Sequence, residues 1–575
     1  MDKLNSLRKL LQQEDLAGYI ISTTDEYLSE YTPIYAKRLE YITGFTGSNG
    51  LAVILKDKIL FFTDGRYLTQ AKKQLAAEIF DQQKLIDFPW KNYIAAKESL
   101  GFDPKIFTKQ QLKYFSSVKL KPLTTNLIDK VWNANPAKPK PLKPTSVIYQ
   151  YDIKYAGESY NSKIKKLRKF LRNNKASNFI LTHSDSVCWL LNIRAHDIDF
   201  SPLLLAFAIV TLQDVFLFTD KNRLTTGLAN NLDEVTILAE NQFNKILKKL
   251  DGKILYDENL TTIYVSGLLK SKTHQHIPDP CLLWKACKND TEIKHMQIGH
   301  EHDAVAVCEM LSFISNENIK HLSEYDLAKK LTNLRANCPE YIMDSFPTIC
   351  GFKENGAIIH YSAQKAFAKK ITGNGLLLID SGGQYLGCTT DITRTIAVGE
   401  PTKEQRYYYT KVLKGHIALA KIIFPDKNIT GGNLDVLARQ FLWQEYKDYA
   451  HGTGHGVGSF LNVHEGPQNI SPRGFATKLM PGMVMSNEPG YYVPGKYGIR
   501  IENMMYVKGA TEENYLQFEP LTLVPYSKKL IDKDMITTDE LSYLANYYQK
   551  IKDEIRIRLS NNAQKWLDEE ISWVF

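Results

Sequence analysis

Two stretches of this 575-residue chain carry carboxylates where solvent has no obvious place. In LLLIDSGGQYLGCTTDITRT, from Leu376, an apolar strand delivers Asp380, a glycine pair is expected to turn the chain, and a second strand carries Asp391 back. In MVMSNEPGYYVPGKYGIRIENMMYV, from Met483, the design recurs: a strand reaches Glu488, a Pro-Gly turn follows, and Glu502 returns inside Ile-Arg-Ile-Glu-Asn. A carboxylate on a buried strand is costly unless a cation meets it. Taken singly, Asp380 and Asp391 read equally well as turn aspartates, and Glu502 as an ion-pair partner of Arg500. Two hairpins with the same anomaly argue for one shared ion site.

A third stretch, HGTGHGVGSFLNVHEGP, sets His451, His455 and His464 among four glycines, and these are three of only thirteen histidines in the chain. A lone histidine is more often a satisfied structural group. Clustered imidazoles flanked by glycine have little packing value, and glycine lets the chain approach a ligand closely. His360, in NGAIIHYS, reads either way by itself. Four carboxylates with one imidazole supply too many hard oxygens for a closed structural zinc site. Such a set suits manganese, with cobalt, zinc or iron also compatible, and its capacity for bridging suggests two ions about 3.5–4 Å apart. A water between them would ionise near neutral pH and serve as a nucleophile.

The length exceeds what one core organises, so two or three domains are expected. The segment NPAKPKPLKP, residues 135 to 144, has four prolines and three lysines and reads as a linker. On either side of it the chain repeats itself. LRKLLQQEDLAGYIISTTDEYLSEY from Leu7 aligns with LRKFLRNNKASNFILTHSDSVCWLL from Leu167, and GLAVILKDKILFFTDGR from Gly50 with LLAFAIVTLQDVFLFTDKNR from Leu204. The spacing stays near about 160 residues, which implies two copies of one α/β domain. From about residue 288 a long helical stretch leads into the strands and glycine turns that hold the chemistry. The expected domains are therefore 1–142, 143–288 and 289–575, the last closing in a helical tail whose Leu541, Leu544, Ile551, Ile555 and Leu559 should form a cover or an interface.

Composition narrows the partners. The net charge of +9 is dispersed among acids rather than gathered into a basic face, so no nucleic-acid partner is expected. Pro202 opens the most apolar run, PLLLAFAIVTL, which is too short to span a bilayer and reads as a buried strand, so no membrane is expected. Seven cysteines (188, 281, 287, 308, 338, 350 and 388), odd in number and without a CxxC pair, fit reduced thiols. With no signal-like N-terminal run, a cytoplasmic location is the expectation.

Together GAIIHY, IDSGGQYLGCTTDITRT, HGTGHGVGSFLNVHEGP, NEPGYY and GIRIEN resemble the aminopeptidase P branch of the pita-bread metallopeptidases, relatives of prolidase, creatinase and methionine aminopeptidase. The resemblance covers essentially the whole chain. It implies an α/β (α+β) fold, with two creatinase-like N-terminal domains followed by a pita-bread catalytic domain. By that resemblance Asp380, Asp391, His455, Glu488 and Glu502 hold the two ions, Asp391 and Glu502 bridging them. His360 and His464 would steady the scissile carbonyl and its developing charge, His451 would line the proline side, Glu488 would shuttle the proton, and Arg500 would orient a ligand. The implied reaction removes an N-terminal residue standing before proline, by attack of an ion-bridging hydroxide, in a homodimer. Two alternatives keep the same ligands or fold: prolidase, which takes Xaa-Pro dipeptides, and a catalytically inactive pita-bread binding protein.

Overall fold

The computed structural model describes residues 3–76 and 80–575. The chain forms two compact units, residues 1–152 with 158–281 and residues 153–157 with 282–575.

The first unit contains the repeat. One sheet is built from β1 (Gly18–Ser22), β2 (Leu51–Leu55), β3 (Ile59–Phe62), β4 (Phe80–Gln83), β5 (Ser99–Phe102) and β6 (Lys119–Pro122), in the order β4-β3-β2-β1-β5-β6. The other is built from β7 (Asn178–Leu181), β8 (Phe207–Thr211), β9 (Val215–Phe218), β10 (Val235–Leu238), β11 (Ile254–Tyr256) and β12 (His274–His276), in the order β10-β9-β8-β7-β11-β12. The two orders correspond strand for strand, and so do the pairings. The central strand runs antiparallel to its hairpin neighbour and parallel to the strand on its other side.

Local sequence explains this arrangement. The helix Lys3–Gln13 buries Leu7 and Leu11, one turn apart, and its counterpart Tyr160–Asn173 buries Ile164, Leu167 and Leu171. Central strands such as Gly-Tyr-Ile-Ile-Ser are buried on both faces, as helix-covered strands must be. One edge of each sheet is polar, Phe-Asp-Gln-Gln on the first and an exposed His-Gln-His on the second, which blunts that edge. The apolar run after Pro202 becomes a buried strand only from Phe207.

The longest helix of the second unit is Asp290–Asn316, whose start is fixed by a capping box between Asn289 and Glu292. Two sheets follow. One is three-stranded, with Gly375–Ser381 between Ile349–Phe352 and Ile392–Val398. The other is six-stranded and includes Gly454–Gly456, Glu465–Ile470, Val484–Asn487 and Asn503–Gly509. The tail forms the helices Thr538–Glu554 and Asn561–Ile571. Leu544, Ile551, Ile555 and Leu559 join the core that holds Leu377, Ile379, Ile499 and Ile501, so the tail is a core element beneath the acidic strands; Leu541 is partly buried. All seven cysteines are free thiols, five of them buried. No helix among the described residues is long and apolar enough to cross a membrane.

Candidate metal centre

Asp380 lies in the strand Gly375–Ser381, opposite Thr393 in an antiparallel pair, and Asp391 immediately precedes the strand Ile392–Val398. The link between them is more elaborate than a hairpin turned by Gly382 and Gly383. The segment Gly383–Tyr385 pairs back on Cys388–Thr389, and the reversal falls at Gly387, where φ is +89°. Gly382 is required by closeness instead, since a Cβ there would lie 1.9 Å from the Thr390 carbonyl oxygen. Glu488 and Glu502 stand where a paired ribbon changes sheets. Val484–Asn487 pairs with Asn503–Gly509 in the six-stranded sheet, then Gly490–Val493 pairs with Tyr497–Arg500 separately. The turn of that ribbon falls at Pro494–Gly495, where φ of Gly495 is +77°.

Candidate ligand atoms lie within 4.8 Å of one another in three overlapping sets: Asp380, Asp391 and Glu502; His455, Glu488 and Glu502; and Asp391, His455 and His464. His455 Nε2 is 3.5 Å from Asp391 Oδ2 and 3.7 Å from Glu488 Oε1. Its Nδ1 is 2.8 Å from the Gly456 carbonyl, which can only accept, so the proton sits on Nδ1 and the Nε2 lone pair faces the carboxylates. The rings of His455 and His464 meet edge to face at 4.4 Å. Strand packing requires glycine at 454, where a Cβ would come within 2.0 Å of the Ser486 carbonyl oxygen.

Arg500 binds Asp380, with Nη2 2.6 Å from Oδ2, and not Glu502 as the nearby sequence suggests. Its Nε donates to the Thr393 hydroxyl, which donates in turn to Glu502 Oε2 at 2.8 Å. Its Nη1 donates to the Tyr492 hydroxyl at 2.7 Å, and that hydroxyl lies 2.8 Å from His451 Nε2. His451 Nδ1 faces the Gly452 carbonyl, so Nε2 accepts and Tyr492 donates to it. One guanidinium thus connects three of the sequence-predicted residues. Thr393 and Tyr492 escaped sequence reasoning, although both lie inside its motifs. His360 belongs to none of the three ligand sets. The carbonyl of its neighbour Ile359 accepts from Arg500 at 3.3 Å, which brings the loop to the edge of the cluster.

The electrostatics ask for cations. Burial, then repulsion by Asp380 and Glu488, holds the Asp391 carboxyl well above its usual range. Burial and the charge of Asp391 do the same to Glu502. Glu488 is raised by burial, against the opposing pull of His455 and Arg500. Asp380 Oδ1 and Asp391 Oδ1 are buried with no hydrogen-bond partner among the described residues. Unpartnered oxygens, mutual repulsion and an imidazole lone pair together fit divalent ions.

A buried, oxygen-rich ion site on this arrangement of sheets defines a metallopeptidase of the pita-bread class, and the chain belongs to metallopeptidase family M24. Residues 294–509 match that family, 514–573 match the C-terminal region of its peptidases, and both 3–131 and 139–292 match the creatinase/prolidase N-terminal domain. The protein called Xaa-Pro aminopeptidase 1 in Dictyostelium discoideum is 36% identical, over 99% of this chain and 96% of its own. A solved X-prolyl aminopeptidase from Caenorhabditis elegans, described as a cytosolic enzyme with a di-nuclear active site, superimposes with a TM-score of 0.93 at 31% identity, covering 99% of this chain and 98% of that one. A Pyrococcus horikoshii prolidase superimposes with a TM-score of 0.52 at 26% identity, over 64% of this chain and 99% of its own.

Proposed function

We propose that this chain is a cytoplasmic, metal-dependent aminopeptidase that hydrolyses the N-terminal Xaa-Pro bond of peptides. The observation that carries the reading is the convergence of Asp380, Asp391, Glu488 and Glu502 on two imidazoles with carboxylate oxygens left unpartnered. In this reading Asp380, Asp391, His455, Glu488 and Glu502 hold two divalent ions, and their hard oxygens suit manganese best, ahead of cobalt, zinc or iron. When bound, such ions supply Lewis-acid polarisation and a water that is acidic near neutral pH.

The remaining work falls to the chain itself. Glu488, with its raised carboxyl, accepts a proton from the attacking water at a carboxylate oxygen and delivers it to the departing proline nitrogen. His464 and His360 donate to the carbonyl oxygen as negative charge develops there. His451, held by Tyr492, lines the proline side. Arg500 keeps Asp380 oriented for its ion. An Xaa-Pro bond has no N–H, so a site that grips the pyrrolidine ring reaches substrates that peptidases dependent on that hydrogen bond cannot. The domain division 1–142, 143–288 and 289–575 belongs to the same proposal, supported by the duplicated sheets and the full-length likeness, and a homodimeric state belongs to it by the family resemblance alone.

The test offers the manganese-loaded protein an Xaa-Pro-Xaa tripeptide, an Xaa-Pro dipeptide and a Met-Ala-Xaa tripeptide. Cleavage of the first is expected. Turnover of the dipeptide alone would make the enzyme a prolidase, and turnover of none would leave a binding protein.

A further inference from the structure

Glu324 is fully buried, yet its carboxylate meets no cation among the described residues. It stands at the first position of the helix Glu324–Ala336, where the helix dipole favours an anion. Its oxygens are saturated by one loop, residues 352–369. Oε1 accepts from the Phe352 amide at 2.7 Å and from Asn355 Nδ2 at 3.0 Å. Oε2 accepts from the Tyr361 hydroxyl at 2.7 Å and from the Lys369 amide at 2.8 Å, while the Glu324 amide donates back to the Lys369 carbonyl at 2.9 Å. A single carboxylate therefore holds the start, the middle and the end of the loop. The middle contact, Tyr361, adjoins His360. On the other side of His360, the Ile359 carbonyl is held by Arg500, the residue that binds Asp380.

We propose that Glu324 is the positioning residue for His360: it ties the loop 352–369 to the helix Glu324–Ala336 and so sets where His360 stands beside the Arg500–Asp380 pair. Glu324 touches no substrate; it acts through His360, and the inference rests on the reading that His360 serves the reaction. Hydrogen bonds to a buried carboxylate are short and strong, so the loop gains little freedom while all of them persist. An amide cannot replace the carboxylate. In one orientation of Glu324→Gln its nitrogen faces the Phe352 N–H, and in the other the Lys369 N–H. Tyr361→Phe is gentler, removing one hydroxyl and keeping the ring.

The experiment measures kcat/KM on an Xaa-Pro-Xaa peptide for Tyr361→Phe and Glu324→Gln, each alone and combined with His360→Ala, with bound manganese determined for every variant. Alone, Tyr361→Phe is expected to cost about tenfold and Glu324→Gln about 100-fold, with two ions still bound, as small misplacements of a reacting group do. In the His360→Ala background each loss is expected to shrink to about twofold or less, because a residue acting through His360 has nothing left to position. A merely structural role predicts the opposite, full losses that multiply with that of His360→Ala, and this result would overturn the proposal. So would wild-type kcat/KM in Tyr361→Phe and Glu324→Gln while His360→Ala is impaired. If His360→Ala itself keeps wild-type activity, the catalytic reading of His360 falls first and the positioning role goes with it. Should Glu324→Gln fail to fold, the Tyr361→Phe pair of measurements decides the question alone.

Discussion

Glu465 and Glu502 are both buried carboxylates at strand ends of one six-stranded sheet, and they are neutralised in opposite ways. Glu465 receives Lys285 at 2.7 Å and Lys288 at 2.6 Å, and all three side chains are removed from solvent. Glu502 receives a threonine hydroxyl and the repulsion of Asp391 and Glu488. The guanidinium of Arg500 forms its ion pair with Asp380. Where the fold needs a buried anion for its own sake, it supplies the cations from nearby in space. Where it leaves carboxylates uncompensated, the compensation has to arrive from solution. The contrast separates an ion cluster that stabilises from one that binds, although charge and burial alone look alike in both.

The largest effect expected from this contrast is at the binding cluster. Asp391→Ala should lower kcat/KM by about 10⁴-fold or more, with loss of bound metal measured by elemental analysis and little change in folding. Full turnover with two ions still bound would erase the distinction. The next is at the self-compensated cluster. Glu465→Gln strands two buried ammonium groups and should cost about 3–5 kcal/mol in urea unfolding, while the purified protein still binds two ions. Unchanged stability would mean that Lys285 and Lys288 have other compensation.

Much of the binding cluster is legible from sequence because its members are conspicuous locally. Asp380 follows Leu-Leu-Leu-Ile, and Glu502 sits among Ile499, Ile501, Met504 and Met505, so burial of a charge can be inferred within a few residues. The duplicated sheets are legible for a similar reason, since helix and strand periodicities recur in the same order. Partnership across the fold is not legible. Arg500 reads as a partner for Glu502 two residues away, but its mate is Asp380, brought beside it by the pairing of strands. Lys285, Lys288 and Glu465 look like ordinary surface charges until the strand Glu465–Ile470 meets the end of the helix Pro280–Ala286 and the residues after it. Glu324 reads as a routine acidic first turn after Ser323, with nothing nearby to signal that it closes a loop ending at Lys369. Glycine roles also escape, because a close approach such as that of Gly382 to Thr390 and a chain reversal ask for the same residue.

The smallest expected effect concerns pH, and it distinguishes the clusters without mutation. In the ion-free protein the carboxyls of Asp391, Glu488 and Glu502 are held above their usual range first by burial, with Asp380 and Glu488 adding to the rise at Asp391, and Asp391 and Glu488 to that at Glu502. A carboxyl raised on folding contributes its full stability below its unfolded value of about 4, and that contribution is lost as pH rises through the folded value. Chelated protein should therefore lose stability as pH rises above about 4 through these groups. Manganese opposes the loss by neutralising the charge, and at a free concentration of 100 times its dissociation constant it contributes about 2.7 kcal/mol. Ion binding itself strengthens as the ligands deprotonate, so both effects act in one direction. The difference in unfolding free energy between manganese-loaded and chelated protein should widen with pH in urea titrations. A difference that stays constant or narrows would show the acidic cluster to be compensated from within, as Glu465 is by its lysines.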